Sequence, residues 1–218
     1  MPESGPSDTY CLGVLASGGG TNFQAILDRC LSGGLPARIG VVISNNSGAG
    51  ALERARKAAI PTAHLSSWTH PDPEQLDLAI AGTLQAHGVD LVILAGYMKK
   101  LGTHLLGAFP GRVTNIHPAL LPAFGGTGMY GLNVHSAVID SGARVTGVTV
   151  HLANEEYDRG PIIAQDVVRV HQDDSPETLA ERVLKTEHRL YSEVVNWFAE
   201  GRVAVEEGRV KVLGPSEA

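Results

Sequence analysis

The chain has 218 residues, 43% of them hydrophobic and 18% charged, enough for one sizeable α/β domain or two small ones that share a cleft. A formal net charge of -6 at pH 7 excludes the basic face that nucleic acid or an anionic membrane would require, so an anionic ligand has to be small and held by local geometry. Cys11 and Cys30 lack metal-ligand spacing and read as reduced core residues rather than a disulfide.

Residues 1–9 read as a flexible N-terminal extension, because Met1 to Asp8 is polar, rich in Pro and Gly, and without a basic start or apolar stretch. A soluble cytoplasmic protein is expected, with 10–218 as a single domain. Apolar runs at Tyr10 to Ala16, Ile39 to Ser44 and Leu91 to Ala95 predict strands, and they alternate with helical patterns at Asn22 to Leu31, Ala49 to Ala59 and Glu74 to His87. That alternation predicts βαβ units around a parallel sheet buried on both faces. A short helix at Thr103 to Phe109 leads to a strand at Arg112 to Ile116, then a helix at Asn133 to Asp140 and strands at Arg144 to Leu152 and Ile162 to Val170. Val148 and Val150 alternate with Thr149 and His151, which predicts a strand with unlike faces. Asp174-Ser175-Pro176-Glu177 is a helix start, and the helix is expected to reach about Glu200. Val203 to Val205 and Val210 to Val212 predict a small closing hairpin around Glu207-Gly208.

Ser17-Gly18-Gly19-Gly20-Thr21-Asn22 joins the first strand to the first helix and gathers backbone N-H groups at the positive end of a helix dipole. Such a loop suits a phosphate, with the Ser17 and Thr21 hydroxyls and the Asn22 amide as further bonding groups; without a ligand it is a tight turn. It departs from a dinucleotide fingerprint, since Phe23 stands where a glycine is needed and the second strand ends in Ser44-Asn45-Asn46 rather than an acid. It also lacks the lysine pattern of an ATP-hydrolysing loop.

In Asn115-Ile116-His117-Pro118 an amide and an imidazole two residues apart point the same way from a strand end. Together they can hold a carbonyl oxygen and pass a proton, as acyl transfer requires. The turn Glu155 to Pro161 offers a carboxylate that could approach His117 and, by proximity, raise its pKa. Nine histidines without H-x-x-x-H or H-E-x-x-H spacing give no metal site.

These segments, with Leu94-Ala95-Gly96-Tyr97-Met98 and Asn115 to Pro122, resemble the folate-dependent formyltransferase family from about Cys11 to Trp197. The resemblance implies a Rossmann-like α/β formyltransferase fold, a mostly parallel central sheet flanked by helices with a small C-terminal hairpin. It divides the domain into a phosphate-binding half, 10–110, and a catalytic and folate-binding half, 111–218. It implies 10-formyltetrahydrofolate as co-substrate and 5-phosphoribosylglycinamide (GAR) as acceptor; from the charge and the histidine spacing no metal and no nucleic-acid or membrane partner are expected, and the oligomeric state, monomer or homodimer, is left open. Asn115, His117 and Asp158 match the catalytic positions. Gly19, Gly20, Thr21, Asn22, Pro118 and Glu187 match the substrate positions. Leu94, Met98, Lys99, Lys100, Leu101 and Asn115 match the folate positions, together with Asn154, Glu155, Glu156, Tyr157 and Asp158. His151 matches a supporting position, and His135 reads as a histidine on a helix surface. Three features depart from the usual pattern: Lys99-Lys100 replaces an Arg followed by an apolar residue, Pro73 lies where an Arg often stands, and the loop Ala123 to Gly131 is longer. Its glycines suggest a lid. The alternatives are a 10-formyltetrahydrofolate hydrolase, for which an extra N-terminal domain is expected, a formyltransferase acting on tRNA, for which a basic C-terminal domain is expected, and a non-catalytic folate- or phosphate-binding module.

Overall fold

The computed structural model describes residues 9–214. Apart from Thr9, the expected 1–9 extension lies outside the described residues. Fifteen elements follow in order: β1 (Tyr10–Ala16), α1 (Thr21–Leu31), β2 (Ala37–Ser44), α2 (Gly50–Lys57), β3 (Thr62–His64), α3 (Pro73–Ala86), β4 (Leu91–Leu94), α4 (Thr103–Ala108), β5 (Val113–His117), α5 (Leu132–Asp140), β6 (Val145–Leu152), β7 (Ile162–Arg169), α6 (Pro176–Ala199), β8 (Val203–Glu206) and β9 (Arg209–Val212). One seven-stranded sheet has the order β3-β2-β1-β4-β5-β6-β7, and β8-β9 form a separate hairpin. The first five strands pair in parallel, while β6 runs antiparallel to both β5 and β7. β3 escapes the sequence pattern because its three residues are only half-buried and too few to show alternation.

The apolar strands are covered on both faces. Along β1, Leu12, Val14 and Ala16 face α1 and α6, whereas Cys11 and Leu15 face the side covered by α3 and α4. Each fully buried Leu or Ile contributes roughly 1.5–3 kcal/mol relative to exposure. Gly13 leaves the space that Leu84 and Val89 fill, so the α3 side packs directly on the strand. The unlike faces expected of β6 are present, and both are buried: Val148 and Val150 join the apolar core beneath α6, while Thr149 and His151 lie on the other side against Ala119, Leu121 and the Asn115-Asp158 pair. Thr149 thereby becomes an anchor, accepting from Leu121 N at 3.0 Å and donating to Ala119 O at 2.7 Å.

The α6 start follows from its sequence: the Ser175 hydroxyl accepts from Thr178 N, Thr178 returns the bond, and Pro176 opens the helix. At the β8-β9 turn, Glu207 and Gly208 both have positive φ, 48° and 75°, as a two-residue hairpin of this twist requires. Among the described residues no helix is long and apolar enough to cross a membrane. Since one sheet runs through both halves, the 10–110 and 111–218 division is proposed as a division of function.

Candidate active site

The glycine loop leaves β1 and enters α1 through Gly20, whose φ of 71° suits glycine and whose Cβ, if present, would lie 2.7 Å from Ala51 Cβ. Its carbonyls are turned inward: Ala51 N donates to Gly18 O at 3.1 Å and Arg54 Nε to Gly19 O at 2.9 Å. The N-H groups that open α1 have no side-chain cap, so they remain available to an anion. Thr21 is exposed beside them. Ser17, read from sequence as a further phosphate group, instead donates to Asn45 Oδ1 at 2.6 Å and accepts from Met98 N at 2.8 Å. Glu187 on α6 reaches this loop by hydrogen bonding with Asn22, and burial pushes its carboxyl up to about 7 while Asn22 partly opposes the rise. Asn22 Oδ1 is buried without a partner.

Asn115 and His117 project from the same side of β5, opposite His151 and Thr149 of β6. Asp158 arrives on the β6-β7 turn with a φ of 56°, and Gly160 has no room for a side chain because Leu152 O lies against it. Asp158 Oδ2 stands 3.5 Å from His117 Nδ1 and accepts from Gly126 N at 2.9 Å. Asp158 Oδ1 lies 3.5 Å from Asn115 Nδ2 and 3.6 Å from His151 Nε2. His151 Nδ1 donates to Leu152 O at 2.9 Å, and its Nε2 lies 3.1 Å from Asn115 Nδ2. The other nitrogen of His117, Nε2, donates to Phe124 O at 2.7 Å.

The loop expected as a lid is therefore docked on the His-Asp pair through Phe124 and Gly126. Gly125 permits this, since a Cβ there would run into Leu121 and Asp158.

The expected rise in the His117 pKa is corrected. Burial is the largest effect and pushes the imidazole below its ordinary value; Asp158 and the Phe124 carbonyl pull it up, but not enough. Burial also pushes Asp158 upward, yet the contact with His151, the field of His117 and the Gly126 N-H outweigh it and hold the carboxyl below its usual range. The pair at pH 7 is thus a carboxylate beside a mainly neutral ring. His135 is corrected as well: it is 4% exposed, not a surface histidine, and its Nδ1 has no partner. Its pKa is lowered by burial and by His117.

A cavity at the C-terminal ends of β4 and β5 is lined by Leu94, Lys99, Lys100, Leu101, Asn115 and the segment Asn154 to Asp158. Met98 is absent from the lining and is 43% exposed. Tyr97, Ala153 and His151 also line the cavity. Tyr97 and Ala153 were missed because single residues after a strand end carry no periodic signal. Pro118 is half-buried after β5. Among the described residues, no group of three or more His, Cys, Asp or Glu could hold a metal ion.

The family profile described as "Formyl transferase" matches residues 12–195, which include the glycine loop, Asn115, His117 and Asp158. The chain belongs to this formyl transferase family. A chloroplastic phosphoribosylglycinamide formyltransferase of Arabidopsis thaliana is 45% identical over 93% of the chain and 70% of that protein. The phosphoribosylglycinamide formyltransferase of Haemophilus influenzae is 41% identical over 90% of each chain. The crystal structure of glycinamide ribonucleotide transformylase 1 from Symbiobacterium toebii superposes with a TM-score of 0.89 at 45% identity and covers 96% of each chain.

Proposed function

We infer that the chain transfers the formyl group of 10-formyltetrahydrofolate to the amine of GAR, giving formyl-GAR and tetrahydrofolate in de novo purine biosynthesis. The observation that carries this reading is the convergence of Asn115, His117 and Asp158 beside the cavity, in a chain whose relatives bear that activity in their names. The cavity suits a flat folate ring, because Leu94, Leu101 and Ala153 supply apolar surface and the main chain of Asn154 to Asp158 supplies polar edges. Gly19 to Asn22 would hold the phosphate and Glu187 the ribose.

The neutral amine of GAR attacks the formyl carbon, forming a C-N bond as the carbonyl electron pair moves to oxygen. Asn115 Nδ2 lies 3.5 Å from Asp158 Oδ1, too far to be strongly engaged, so an amide hydrogen remains to bond the oxyanion. Once the single proton of the neutral ring sits on Nδ1, where Asp158 accepts it, His117 Nε2 is free to take the proton of the attacking ammonium and pass it to N10 of the folate as the old C-N bond breaks. In the present conformation the Phe124 carbonyl holds that proton on Nε2, so Phe124 gives way and the ring changes tautomer before this step. A neutral resting imidazole suits this role better than a permanently charged one.

The test is a spectrophotometric assay of folate product with and without GAR. Turnover that requires GAR is expected. Turnover independent of GAR would select the hydrolase reading, and none the non-catalytic module. We further propose a cytoplasmic enzyme, monomeric or homodimeric, with no nucleic-acid or membrane partner; the plant relative's name places that protein in the chloroplast.

A further inference from the structure

Ser17 follows β1 at the point where the strand order reverses, with β2 on one side and β4 on the other. Such a point is where an open α/β sheet splays its loops and leaves a crevice. Three strand ends meet on this one residue. Its N-H donates to Gly96 O after β4 at 3.0 Å, its hydroxyl donates to Asn45 Oδ1 after β2 at 2.6 Å, and the same oxygen accepts from Met98 N at 2.8 Å. A hydroxyl has one hydrogen, and Asn45 takes it, so none remains for a phosphate. Gly96, with a φ of 72°, turns the chain so that Met98 N can reach back. Among the described residues no other side-chain hydrogen bond reaches the main chain of 96–101, the segment whose Tyr97 and Lys99 to Leu101 line the cavity.

We propose that Ser17 is a positioning residue that fixes the folate-side segment 96–101 to the phosphate-side loop, serving the ligand on the far side of the joint rather than the one it adjoins. This rests on the assignment of GAR to the glycine loop and folate to the cavity. One neutral hydrogen bond contributes about 0.5–1.5 kcal/mol net, a factor of about two to ten in affinity.

Steady-state kinetics with both substrates test it. Ser17→Ala is expected to raise KM for 10-formyltetrahydrofolate about fivefold to tenfold while KM for GAR and kcat stay within about twofold. Ser17→Thr keeps the hydroxyl and should restore the folate KM. Asn45→Ala, which removes the acceptor without altering either loop, should raise the same KM by less. A rise confined to GAR would assign Ser17 to the phosphate and overturn the proposal, as would equal rises or no rise. If the unaltered chain does not formylate GAR at all, the proposed function fails on its own. Fluorescence titration with 10-formyltetrahydrofolate then still decides the role of Ser17: weaker binding in Ser17→Ala that Ser17→Thr restores supports it, and unchanged binding overturns it.

Discussion

The glycine loop and the His-Asp cluster both prepare for negative charge on oxygen, but they are built from different material. At 17–22 the donors are main-chain N-H groups, and α2 holds the loop by its carbonyls through Ala51 and Arg54. At Asn115, His117 and Asp158 the working groups are side chains from β5 and from a turn more than forty residues later, with Phe124 and Gly126 of a third segment bonded to them. The first site is specified by conformation and tolerates an overall negative chain. The second is specified by charge and protonation, and burial as well as contact decides its state.

Removing a reacting side chain should break the second site and spare the first. His117→Ala and Asp158→Asn are expected to lower kcat by at least about a hundredfold, with GAR affinity measured by calorimetry unchanged. Near-normal turnover would remove these residues from the mechanism. The pH profile sharpens the point: the acid limb of kcat should fall as His117 protonates, with a midpoint below the ordinary histidine value. Because Asp158 pulls that pKa up, residual activity in Asp158→Asn should show the limb displaced to still lower pH.

Glu187, bonded to Asn22 beside the glycine loop, should give the next largest effect. Burial holds its folded pKa at about 7, above the ordinary value of 4.5, so the protein prefers it protonated. Stability from this group is complete below pH 4.5 and is lost as pH rises to about 7. The loss is roughly 3 kcal/mol, about two and a half pKa units at about 1.4 kcal/mol each. Glu187→Gln should therefore melt at a higher temperature than wild type at pH 8 and lack the decline between pH 5 and 7, while binding GAR more weakly. A parallel decline in both proteins would refute the assignment.

Gly20→Ala tests the conformational site. Its positive φ and the nearby Ala51 make a side chain costly, by about 1–3 kcal/mol, and the expected result is a GAR KM raised about tenfold with kcat little changed. The smallest effect is expected at the exposed cations: Lys99→Ala or Lys100→Ala should raise the folate KM by no more than about fivefold, since exposed ion pairs contribute about 0–1 kcal/mol. That increase should diminish at high salt.

Apart from β3, strand and helix positions from Tyr10 onward were legible because apolar runs and 3.6-residue periodicity are local properties. The Ser175-Pro176 start of α6 and the Glu207-Gly208 turn were equally local. Glu187 also carries a signal in the sequence: it falls one helical turn from Val183 and from Tyr191, within the buried stripe of α6. An acid in such a stripe is costly unless it has a partner or a task. Ser17 and His135 could not be read this way, because the first is claimed by Asn45 and Met98 and the second is covered by other parts of the fold.

The amino-acid order alone thus determined the alternating α/β architecture, the glycine loop and the Asn-x-His pair, since each depends on neighbours within a few residues. Tertiary structure decided that His117 titrates below rather than above its ordinary value, that His135 is buried, and that the Ser17 hydroxyl faces Asn45 and Met98. The physical reason is that desolvation and hydrogen-bond allocation depend on atoms far apart in the chain, and only the folded packing sets which of them meet.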